Sequence, residues 1–188
     1  MSLLSQRSDF FTSLLLATLV LLAGTARAGA EDPESPFTRT TIDIGVVVSD
    51  VERSATFYTE VIGFTEITPF DVPADFATAS GLTDNQPLHV RVFVLGEDAA
   101  ATRLKLIELP GVDSRQSDNT TIHAQLGFSY LTVHIQSTPD ALARLEKAGV
   151  AVVAEGPVPL PEGLPQGISL TLVRDPDGNI VELVGPSE

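Results

Sequence analysis

Hydrophobic residues recur along this chain in two rhythms that alternate in a fixed order. Residues 41–48 (TIDIGVVV) place Ile42, Ile44, Val46 and Val48 on one face of a strand, with Thr41, Asp43, Gly45 and Val47 on the other. The period then lengthens. Val51, Ala55, Tyr58 and Ile62 recur at helical spacing behind Ser49-Asp50-Val51-Glu52, which has the form of a capping box, and Gly63 is a natural stop. Short strands are predicted at Phe64–Thr68, Leu88–Leu95 and Arg103–Leu109, with a polar insertion at 69–85 and a helical turn near Ala74–Ser80.

The same order then returns. Ser129–Gln136 alternates, with Leu131, Val133 and Ile135 on one side. Thr138-Pro139 opens a second helix whose apolar face is Leu142, Leu145 and Ala148, ended by Gly149. Val150–Ala154 reads as a short strand, followed by a Pro/Gly-dense insertion at Glu155–Gly167. Two strands, Ile168–Arg174 and Asn179–Val184, flank Asp175-Pro176-Asp177-Gly178, a strong hairpin signal. Strand, helix and three strands, twice over, indicate an internal duplication of class α+β. Module one is 41–109, a link covers 110–127, and module two is 128–186.

The first thirty residues are of another kind. Arg7 precedes an apolar run from Phe10 to Gly24, and small-residue cleavage patterns follow at Ala26-Arg27-Ala28 and Ala28-Gly29-Ala30. The run is shorter than the ~20 residues of a membrane span, so residues 1–30 read as a signal peptide and 31–40 as a linker. The mature chain is expected to be periplasmic or extracellular, with no membrane attachment after cleavage. A net charge of −14 argues against nucleic-acid binding, and the lack of cysteine removes disulfides, thiol nucleophiles and thiolate metal sites. Asn119-Thr120-Thr121 in the link is a glycosylation sequon by pattern and a loop by default.

Two segments carry a more specific likeness. DVERSATFYTEVIGF (50–64) resembles the first helix of a vicinal-oxygen-chelate module, with its S-x-x-F-Y-x-x-x-x-G-F pattern, and RDPDGNIVELV (174–184) resembles that family's final hairpin. The family comprises glyoxalase I, bleomycin-resistance proteins and extradiol dioxygenases. The resemblance implies two βαβββ modules whose mixed sheets curl around a cleft, with a metal held by one residue from each of four strands. Projected onto this sequence, the ligand positions are Asp43, Glu108, Tyr130 and Glu182. In relatives the first is histidine or glutamine and the third histidine, so aspartate and tyrosine depart from the pattern.

Alternation supplies the rest of the expected cavity face. Val90, Val92 and Val94 form one face of their strand, leaving His89 and Arg91 opposite; Thr132 and His134 stand beside Tyr130; Leu170 and Leu172 leave Thr171 opposite. His89, Arg91, Thr132, His134 and Thr171 are therefore the expected ligand contacts, although the same alternation also fits a solvated outer face. Pattern alone leaves the fourth strand ambiguous, because Lys105 and Glu108 lie on opposite faces; only the resemblance turns Glu108 inward.

Two functions stay open. In one, a glyoxalase-like, metal-assisted lyase or isomerase acts on a small oxygenated molecule, with Glu182 or Glu108 carrying the proton. An all-oxygen donor set suits Mg, Mn or Ca, whereas relatives hold Zn or Ni. In the other, a metal-free cleft sequesters a small molecule, as bleomycin-resistance proteins do, with the insertions at 69–85 and 155–167 as lids. Extradiol chemistry needs two histidines on iron and is set aside. Dimers are frequent in the family, and with two modules per chain either one chain or a module-exchanging homodimer could close the cleft.

Overall fold

The computed structural model describes residues 37–38, 41–96 and 101–188; the expected signal peptide lies outside the described residues. Each half of the chain contributes one four-stranded mixed sheet. The first contains β1 (Asp43–Val47), β2 (Thr65–Val72), β3 (Leu88–Val94) and β4 (Arg103–Glu108), in the order β1-β4-β3-β2. The second contains β5 (Tyr130–His134), β6 (Val158–Pro159), β7 (Ile168–Arg174) and β8 (Ile180–Pro186), in the order β5-β8-β7-β6. In each sheet the first and last strands of the module run parallel and the remaining pairs antiparallel. The duplication read from the sequence is thus repeated in topology.

Helix α1 (Val51–Thr56) begins differently from the capping-box expectation. Asp50 is the cap, its carboxylate accepting from the Arg53 N–H at 3.0 Å, while Ser49 is drawn away to Asp177 of module two. The helix continues into a π-type segment (Phe57–Ile62), where the Gly63 N–H reaches back to the Tyr58 carbonyl at 3.0 Å. Its wider turn reduces the angle between neighbouring side chains, and the pairs Phe57–Tyr58 and Val61–Ile62 are all buried. Gly63 closes the segment at φ +105°, a left-handed conformation that glycine adopts without steric cost. Helix α2 (Ala74–Ala79) occupies the predicted turn. Helix α3 (Thr138–Lys147) is capped by Ser137, one residue before the expected start.

The third short strand of module two is displaced. Val150–Ala154 makes only an isolated bridge, Val152 to Val173, and β6 forms inside the Pro/Gly-dense insertion instead. Residues 39–188 form one compact unit, and a single core crosses both modules. Tyr58, Phe93, Leu104 and Leu106 from module one share it with Leu145, Val173, Val181 and Leu183 from module two. The Arg144 guanidinium donates to the Val61 carbonyl at 3.1 Å, fixing α3 against the π segment.

Candidate functional site

Strand register decides which side chains share a face. In the first sheet, Ile44 and Val46 pair with Leu104 and Leu106, and all four pack on the core beneath the helices. Asp43, Gly45 and Val47 pair with Arg103, Lys105 and Ile107 and therefore look out of the opposite, open face. Register continues across β3: Val90 and Val92 oppose Ile107 and Lys105, whereas Arg91 and Phe93 oppose Leu106 and Leu104. Leu88, Val90 and Val92 build a second apolar layer on the open face with Ile67, Val72, Ile107 and Leu109.

Register places three of the expected contacts on the helix side. His89 and Arg91 lie on the helix side, not on the open face, because Val90 and Val92 pack with Ile67, Val72, Ile107 and Leu109 on the open face and not under the helix. Arg91 makes a two-pronged bond to Glu66 on β2, both distances 2.7 Å, and a 2.9 Å ion pair to Glu52 on α1. His89 lies 2.6 Å from Asp71 on the neighbouring strand. Thr171 is also on the helix side. It opposes Leu183 and is fully buried, while Leu170 and Leu172 share the open face with Val184 and Glu182.

The four projected metal positions do not form one set. Glu108 opposes His89 and shares the parity of Leu104 and Leu106, so it lies on the helix side, away from the face that Asp43 takes. Asp43 is occupied: Lys105 Nζ lies 2.8 Å from its Oδ2, with side chains only 28% and 13% exposed. Lys105 also lies 5.7 Å from the centre of the Phe70 ring. In the second sheet Tyr130, Thr132, His134 and Glu182 do share the open face, as the alternation predicts. There the Thr132 hydroxyl donates to Glu182 Oε2 at 2.7 Å, and Tyr130 and His134 are exposed. Among the described residues, no group of three or more histidines and carboxylates is close enough to share an ion. A lysine ammonium on the first donor and a second donor on the wrong face do not fit a divalent metal.

Charge on the helix side is organised by the same register. Hydrogen bonds from Arg91, partly opposed by desolvation, hold the Glu66 carboxyl below its usual range, and the bond to Glu66 raises Arg91. Burial, followed by the charge of Asp175, pushes the Tyr58 phenol well above its usual value. Sequence reasoning gave no role to Lys105. Its signal was present: one of only two lysines in the chain sits inside a leucine-rich strand, opposite Gly45 and two residues along from the partner of Asp43.

The sequence profile of the Glyoxalase/Bleomycin resistance protein/Dioxygenase superfamily matches residues 41–183. With both sheets in the duplicated order, the chain belongs to this family. Among solved structures it is similar to a glyoxalase family protein from Bacillus cereus, at 18% identity and a TM-score of 0.65, covering 83% of this chain and 99% of that one. It is also similar to a glyoxalase/bleomycin resistance/dioxygenase domain from Frankia, at 22% identity and a TM-score of 0.51, covering 79% of this chain and 91% of that one. Glyoxalase I from Zea mays matches at 17% identity and a TM-score of 0.58, over 79% of this chain and 45% of that one. Identities this low speak to the fold alone. No curated protein matches the sequence.

Proposed function

We propose that this chain is an exported, metal-independent binding protein of the family, which holds a small oxygenated molecule on the open faces of its sheets. The observation that carries the reading is the Lys105–Asp43 pair. A part-buried ammonium stands against the carboxylate that a metal would need, beside an apolar layer and the Phe70 ring. Such a surface suits a molecule with an apolar body and an oxygen or carboxylate for Lys105 to bond. The family's binding of small molecules supports the reading, and its frequent pairing of chains makes a homodimer part of it. Glyoxalase-type proton transfer would need Glu182 and Glu108 around one ion; they lie on opposite sides of their sheets, and no step is derived through a metal.

Calorimetric titration with a panel of aromatic and branched aliphatic carboxylates tests the reading. Saturable binding should be unaffected by chelator and should weaken in K105M, where the ammonium is lost. Binding that requires an added divalent ion, or that K105M leaves unchanged, would overturn it.

A further inference from the structure

A cavity of about 600 Å³ lies at the far end of the β1–β4 pair from Asp43, and the site above does not use it. It is formed by the link between the modules. After β4 the chain arches over the end of β1 and the start of α1, then is latched to the hairpin of module two. The Gln116 amide donates to the Asp177 carbonyl at 2.7 Å, the Arg174 guanidinium to the Thr120 carbonyl at 3.1 Å, and the Asn119 amide to Asn179 Oδ1 at 3.2 Å. Asn119, the sequon asparagine, is thus a part-buried latch. Val47, Val48 and Leu109 supply an apolar floor beneath a mostly polar wall.

The charges on that wall divide into two groups. Arg53 and Asp177 are engaged: Arg53 lies 3.7 Å from Asp177 and 3.2 Å from Ser49 Oγ, while Asp177 accepts the Ser49 N–H at 3.1 Å. Glu108, Asp113 and Arg115 also line the cavity, and their side chains have no ion-pair or hydrogen-bond partner among the described residues. One guanidinium and two carboxylates are therefore left facing a shared space. A simple anion meets two carboxylates there and a simple cation meets Arg115, whereas a molecule with both charges at opposite ends satisfies the wall. The volume lies within the ~300–1,000 Å³ of small-molecule sites and exceeds what one amino acid fills.

We infer that the cavity under the inter-module link binds a zwitterion of short-peptide size, with its carboxylate on Arg115 and its ammonium on Asp113 and Glu108. The inference is independent of the Lys105 site, because it uses the opposite end of the strand pair. Calorimetry with trialanine, N-acetyl-trialanine and trialanine amide on the purified protein tests it. Trialanine should bind, and each blocked form should bind about tenfold more weakly, as for the loss of one charge-assisted contact. R115Q should weaken trialanine and leave the amide unchanged; D113N should weaken trialanine and leave the N-acetyl form unchanged. Both positions are on the exposed link, so melting temperatures should match the parent protein. Equal binding of free and blocked peptides, or no binding of trialanine, would overturn the inference.

Discussion

The Tyr58 hydroxyl donates to Asp175 Oδ2 at 3.0 Å, joining the first helix of module one to the hairpin of module two inside the common core. Asp175 also accepts the N–H groups of Asp177 and Asn179 and the Asn179 amide, so one carboxylate both shapes the turn and anchors the tyrosine. Y58F keeps the edge-on packing against Phe57 and Phe64 but leaves that carboxylate one bond short. A stability loss of about 1–2 kcal/mol is expected in urea unfolding.

Burial of the same phenol makes stability pH-dependent on the alkaline side. The folded-state phenol titrates above its unfolded value, mainly through burial and then through the charge of Asp175. Above about pH 10 the unfolded chain releases this proton while the folded chain retains it, so stability falls as pH rises. Unfolding midpoints measured from neutral to strongly alkaline pH should decline for the parent protein and decline less for Y58F.

Arg91 gives the opposite sign at low pH. The folded Glu66 carboxyl titrates below its unfolded value, so its contribution is complete above the unfolded pKa and disappears as pH falls through the folded one. Glu66 is about one-third exposed, and solvent screening keeps the gain small. E66Q should cost about 0.5–1 kcal/mol at neutral pH and flatten the acid limb of a circular-dichroism titration.

Packing of β8 against the end of β5 allows a steric test. A Cβ on Gly185 would sit 2.5 Å from Ile135 Cγ1 and 3.1 Å from its carbonyl carbon. Backbone cannot yield as a flexible side chain can, so G185A should lose about 2–3 kcal/mol in thermal or urea unfolding, by the cost of overpacking a fitted strand.

Both modules were legible in the sequence because alternation, caps and turn residues agreed, and because Tyr58 and Asp175 sit within the two motifs that resemble the family. The open face was legible for Thr132, His134 and Glu182, where one side of the strand is plainly apolar. It was not legible for β3 or β7. Val90, Val92, Leu170 and Leu172 look like core, yet they line the open face, while Arg91 and Thr171 lie on the helix side. An apolar layer on the open face defeats the rule that the greasy side meets the helix, and only register resolves it. For Glu108 alternation left the face open, and register rather than resemblance assigns it to the helix side. Ser49 was misread as a cap because its partner, Asp177, is remote in sequence and invisible to a local pattern.

Whether a lysine has replaced the ion can be read directly from heat stability in the presence of divalent cations. An ion that binds only the folded chain must raise the melting temperature with its concentration. For this protein, Mg, Mn, Ca, Zn and Ni should each leave the midpoint where chelator leaves it. A rise of several degrees with any of them, abolished in E182Q, would contradict the account.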